Sequence, residues 1–167
     1  LALFNTQDIT DVAMEVSSHA LAQKRVSAAL FNTAVFTNLT RDHLDYHHTM
    51  SAYADAKKQI FTGDSQQVAV INGDDSQGRN WLEHWPEIQT VVVYGRGENI
   101  SSYSHFVQAL DIKHHVDGVS FTLNTEQGQC QIRSQLLGNF NVENLLAAIA
   151  VLMVENIELA IIASAIK

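Results

Sequence analysis

Apolar positions in the first half of the chain fall in short, nearly continuous runs. "DVAMEV" (residues 11–16), "AVFTNL" (34–39), "QVAVIN" (67–72) and "TVVVYG" (90–95) are of this kind. Strands of a parallel sheet show such runs because helices cover both of their faces. Helical spacing appears between them, in "SSHALAQKRV", in residues 50–61 and around "DSQGRNWLEHW". The pattern predicts alternating strands and helices, an α/β layer.

The rhythm then changes. "SSYSHFVQALDIKHH", "VSFTLNTEQG" and "CQIRSQLLG" alternate more and contain turn residues, which predicts antiparallel strands joined at "HHVDG" and "NTEQG". Beyond Gly138 the spacing is helical. In "NVENLLAAIAVLMVEN", Val142, Leu145, Leu146, Ile149, Leu152 and Met153 share one face, and "ELAIIASAIK" begins another helix. The expected fold is α/β, a mostly parallel, Rossmann-like sheet flanked by helices with an added antiparallel β section. With 167 residues, 46% of them hydrophobic, the chain suits a single domain. It opens without Met and its last helix stops without a cap signal, so an internal piece of a longer protein is expected.

Charge and composition narrow the function classes. A net charge of −8 argues against a nucleic-acid partner, since phosphate backbones select basic faces. An anionic ligand remains compatible if a divalent metal or a few placed cations mediate it. The longest apolar run, "LLAAIAVLMV", is too short to span a membrane, and no basic, apolar leader is present. One cysteine, Cys130, excludes an internal disulfide and suits a reducing cytoplasm.

Four segments hold residues that could carry chemistry. In "MEVSSHALAQKRV", Glu15 follows a predicted strand, and Ser17, Ser18 and His19 stand where a helix would begin. Strand ends and helix N-termini collect ligands in open α/β sheets, yet a serine there can simply cap the helix while Glu15 points to solvent. "NLTRDHLDYHH" groups Asp42, His43, Asp45, His47 and His48 after a strand. That mixture of imidazole and carboxylate suits a divalent metal or, equally, a solvated loop; no HExxH or Cys/His pattern fixes zinc.

Around "AYADAKKQIF", over residues 50–61, the apolar stripe of Met50, Tyr53, Ala54, Ile60 and Phe61 passes through Lys57 and leaves Lys58 to one side. Lys57 either snorkels or is desolvated toward the neutral amine, which is reactive. In "GNFNVENLL", Asn141 and Asn144 share a helical face and could bond a planar heterocycle, although Asn141 could also be a cap.

Together and in this order the segments resemble the central domain of the Mur ligases, ATP-dependent enzymes that build the peptidoglycan precursor. "MEVSSHAL" with "QKRV" behind it, "TNLTRDHLDYHHTMSAYADAKKQIF", "VINGDDSQG" and "LLGNFNVENLLAA" resemble the MurE-type branch, the UDP-N-acetylmuramoyl-tripeptide synthetases. The resemblance covers essentially all 167 residues. It implies ATP and Mg2+ as cosubstrate and cofactor, UDP-MurNAc-L-Ala-D-Glu and a diamino acid (meso-diaminopimelate or L-lysine) as substrates, a cytoplasmic monomer, and no membrane or nucleic-acid partner. It further implies that Lys57 is carbamylated by CO2, with Glu15, His43 and the Lys57 carbamate about the metal. Ser17, Gln23 and Arg25 are implied to contact the UDP-linked substrate, and Asn141 and Asn144 the nucleotide.

Two departures stand out. No GTxGKT phosphate loop occurs in the chain; the resemblance places it upstream of "MEVSS", so residues 1–167 are expected to be a partial central domain, inactive alone and with plain lysine at position 57. "HHT" replaces the family's His-Gly, setting His48 beside His47. The open alternatives are a related amide ligase of peptidoglycan recycling or polyglutamate addition, a non-catalytic nucleotide- or partner-binding domain, and a hydrolase with its metal on the His/Asp cluster.

Overall fold

The computed structural model describes residues 9–28, 31–63, 67–86 and 89–166. Six strands form one sheet in sequential order: β1 (Thr33–Phe36), β2 (Val68–Asn72), β3 (Val91–Gly95), β4 (Phe106–His115), β5 (Gly118–Thr125) and β6 (Gly128–Ser134). β1 to β4 run parallel, and β5 and β6 are antiparallel additions. Among the described residues six α-helices accompany them: α1 (Ser18–Ala22), α2 (Leu44–His47), α3 (Met50–Lys58), α4 (Ser76–Leu82), α5 (Asn139–Val154) and α6 (Leu159–Ala165). The expected parallel layer with an antiparallel extension is present.

Side-chain alternation divides β2 between two cores. Val70 faces a cluster completed by Tyr94, Val107, Phe121, Leu123 and Ile132 from the sheet, and by Val142, Leu146, Ile149 and Ile162 from α5 and α6. Ala69 and Ile71 face the other side, with Phe36, Ala54, Phe61 and Trp81. Helices therefore cover both faces of the parallel strands, which explains their continuous apolar runs. β5 instead alternates, with Val119, Phe121 and Leu123 buried and Ser120, Thr122 and Asn124 partly exposed. On α5 the buried stripe includes Ala147 and Ala150, while Leu145 is only partly covered and Leu152 lies at the surface.

One expected strand is absent. Residues 11–16 form no regular structure and pair with no other segment, and Val12 and Met14 are 53% and 57% exposed. The side chains there favour a strand, but a strand needs a hydrogen-bonded neighbour and none is present among the described residues. Nor does any described helix reach the length and apolarity needed to cross a membrane.

Candidate functional site

The carboxyl ends of β1, β2 and β3 meet the N-termini of α4 and α5, and Lys57 in the last turn of α3 lies near Asp75. Asn72, at the end of β2, donates from its amide to the Thr37 carbonyl (2.8 Å) and accepts from the Asp74 N–H (2.9 Å). Asp75 caps α4 through the N–H groups of Gln77 and Gly78, and its second oxygen accepts from the Leu39 N–H at 3.1 Å. Gly78 is required here, because a Cβ would lie 2.1 Å from the Asn72 carbonyl oxygen. Tyr94 is buried and donates to the Phe36 carbonyl; burial, with Glu143, Asp75 and Asp74 adding negative potential, holds its phenol far above the ordinary range.

Lys57 lies in the last turn of α3, which Thr49 caps by accepting from the Ala52 N–H. Both Lys57 and Lys58 are half-buried, so the expected contrast in gross exposure is not seen. Desolvation lowers the Lys57 pKa, opposed by the carboxylates of Glu15 and Asp75. The Tyr53 ring, 5.3 Å from Nζ, also favours the cation. Desolvation is the largest of the influences on its charge. The amine is partly desolvated, beside the Tyr53 ring and near the two carboxylates.

Glu15 is exposed on irregular backbone rather than at a strand end, but it is close enough to act on Lys57. His43 takes a left-handed conformation (φ 56°) at the start of α2, where its ring meets His19 (centroids 5.0 Å apart) and Tyr53 (5.7 Å). His47 is buried, stacks on Tyr53 at 5.1 Å and shares a 2.9 Å hydrogen bond with Ser18 Oγ. Burial, then His19 and His43, lowers its pKa. His48 also has a positive φ of 65°, at the C-terminal end of α2. Among the described residues no group of three His, Cys, Asp or Glu side chains could hold a metal ion. The unmodified donors therefore do not fit a metal held by side chains alone; an ion here needs oxygens from a ligand or a modified residue.

Ser17 is the N-cap of α1, accepting from the Ala20 N–H at 3.2 Å, so the capping alternative holds for its side chain. Gln23 and Arg25 are exposed just beyond that helix. Gly138, not Asn141, is the N-cap of α5. Asn141 instead donates to the Leu137 carbonyl (2.8 Å), and Asn144 donates to Asn141 at 3.5 Å, so the two amides do share a face.

A charged network also occupies these strand ends. The Asp74 carboxylate accepts from the N–H groups of Arg96 (2.6 Å) and Gly97 (3.0 Å), and Arg96 Nη2 donates to Glu143 at 2.7 Å. Its members are 22 and 47 residues apart in sequence, beyond the reach of periodicity. The only sequence signal is the pair of glycines flanking Arg96.

A sequence model of the Mur ligase middle domain matches residues 1–152. The UDP-N-acetylmuramoyl-L-alanyl-D-glutamate--2,6-diaminopimelate ligase of Haemophilus ducreyi is 41% identical over 160 residues, covering 96% of this chain and 31% of that protein. The ligase of the same name from Xanthomonas oryzae pv. oryzae is 44% identical over 165 residues, covering 98% and 32%. A solved structure of a UDP-N-acetylmuramoyl-L-alanyl-D-glutamate--2,6-diaminopimelate ligase superposes with a TM-score of 0.83 at 34% identity, over 95% of this chain and 32% of that one. The chain thus spans about a third of the length of the relatives it matches. A six-stranded mixed sheet, helices on its faces and this span of matched sequence lead to one assignment: the chain belongs to the Mur ligase middle-domain family.

Proposed function

We propose that residues 1–167 are part of the central, nucleotide-binding domain of a longer, ATP-dependent amide ligase. That enzyme joins a diamino acid to the D-glutamate of UDP-MurNAc-L-Ala-D-Glu. The relatives' names favour meso-diaminopimelate over L-lysine as the amino acid. The enzyme is read as a cytoplasmic monomer.

The observation that carries this reading is the setting of Lys57. Its amine is desolvated while two carboxylates, Glu15 and Asp75, act on it from nearby. Only the unprotonated amine adds CO2, forming an N–C bond and releasing a proton, and burial raises the fraction of that form. The carbamate would add the hard oxygens that the unmodified side chains lack, and Glu15 and His43 would be the protein's other donors. Mg2+ held there with ATP would supply neutralisation of the phosphate charge.

In the reaction, an oxygen of the D-glutamate carboxylate attacks the γ-phosphorus and the bond to ADP breaks. The amino-acid nitrogen then attacks the acyl carbon; the C–O bond to phosphate breaks and the nitrogen loses a proton. Asn141 and Asn144 are assigned to the nucleotide. Ser17, Gln23 and Arg25 are assigned to the UDP-linked substrate, Ser17 through whatever capacity its cap bond leaves.

The test uses the full-length protein, measuring phosphate release that depends on both substrates. Lys57→Ala is expected to lower turnover by about 100-fold or more, the scale of losing an electrostatic contributor to phosphoryl transfer. Lys58→Ala should stay within about threefold of wild type, as for a surface change. Equal activity of the two variants would remove Lys57 from the chemistry.

A further inference from the structure

The guanidinium of Arg96 sits where the ends of β2 and β3 meet the first turns of α5. Its backbone is fixed before its side chain departs. Asp74 accepts both the Arg96 and Gly97 N–H groups, and a Cβ on Gly95 or on Gly97 would come within 2.8 Å of the Asp74 carboxylate. From the other side, buried Gln108 donates to the Gly97 carbonyl at 2.8 Å. Asp74 is held in turn, since Arg79 donates to its carbonyl at 2.6 Å and Asn72 accepts its N–H. The side chain of Arg96 therefore leaves a rigid corner.

Its far end bonds Glu143 at 2.7 Å, with both partners about two-thirds covered (34% and 29% exposed). Nε is buried, 4.0 Å from Asp74 and without a hydrogen-bond partner. A guanidinium held with one donor unspent bears a desolvation cost that a freely solvated surface cation would not. Glu143 stands between Asn141 and Asn144 in sequence, on the turns of α5 that present both amides.

The rest of α5 rests on the sheet through Val142, Leu146 and Ile149. Apolar burial is non-directional, so it places a helix on a surface while tolerating small slides and rotations about its axis. A charge-assisted hydrogen bond is directional and removes that freedom. We propose that Arg96 is a positioning residue: by clamping Glu143 it fixes the placement of the first turns of α5, and with it the presentation of Asn141 and Asn144 to the nucleotide. The inference rests on the nucleotide-binding reading above and deepens it.

The test measures MgATP affinity of the full-length protein by calorimetry. Arg96→Met and Glu143→Gln should each weaken binding about tenfold, with Arg96→Lys in between because it keeps the charge but not the planar guanidinium whose Nη2 meets Glu143. The pair Asn141→Ala/Asn144→Ala should weaken binding too. Adding Arg96→Met to that pair should change affinity by no more than about a factor of two, because Arg96 acts through those two amides. Multiplicative losses on adding Arg96→Met, or variants that lower only the melting temperature and bind MgATP normally, would overturn the role of Arg96. A wild-type protein that does not bind MgATP would instead overturn the reading beneath it.

Discussion

At the scale of single residues, two groups show how burial sets charge. Desolvation lowers the pKa of half-buried Lys57, although the carboxylates of Glu15 and Asp75 and the Tyr53 ring all favour its cation. His47 behaves in parallel, held below its ordinary 6.5 by desolvation and by nearby imidazoles. Between that lowered value and 6.5 the unfolded chain binds a proton that the folded chain does not. Stability therefore rises with pH through the window and is lost as pH falls below 6.5. Urea midpoints taken from about pH 7.5 down to about pH 5 should fall, and fall less steeply in His47→Gln, which cannot titrate. Identical slopes for the two proteins would show that His47 is not a source of the acid sensitivity.

At the scale of elements, close approach decides what the sequence can and cannot reveal. Gly78 lets α4 start against the end of β2, and Gly78→Ala would drive a methyl group to 2.1 Å from the Asn72 carbonyl, where backbone must move. Thermal or denaturant unfolding should show a loss of about 1–3 kcal/mol, the usual cost of overpacking; an unchanged midpoint would mean α4 shifts freely. The same Gly78→Ala change should also disturb the cap that Asp75 provides. Elements whose burial follows their own periodicity, such as β2, β3, β5 and α5, were legible from the pattern of apolar positions. Residues 11–16 were not, since their apolar content is strand-like but pairing depends on a neighbour that composition does not specify. Lys57 was legible because a helix repeats every few residues. The Asp74–Arg96–Glu143 network was not, because three separate elements meet to make it. Asn141 lies between these cases: its face was readable, but Gly138 starts the helix because a positive φ of 92° suits glycine there.

At the scale of the whole molecule, the acidic balance becomes a constraint on the ligand. The chain carries 18 acidic and 10 basic residues, and the strand ends concentrate Asp74, Asp75 and Glu143 around buried Tyr94. Arg96 is already engaged by Glu143 and Arg79 by backbone carbonyls, so neither is a free counter-charge for a polyphosphate. A nucleotide approaching these ends meets net repulsion unless a divalent cation accompanies it. ATP affinity of the full-length protein should then fall by about tenfold or more when Mg2+ is chelated. The loss should be larger near 0.01 M ionic strength, where exposed charges interact out to about 30 Å, than near 0.1 M, where they interact only within about 10 Å. Titrations with and without chelator at the two salt concentrations separate the contributions. If chelation left affinity unchanged, the phosphates would have to lie away from these carboxylates. If the loss did not depend on salt, Mg2+ would be acting through direct coordination rather than by relieving long-range repulsion.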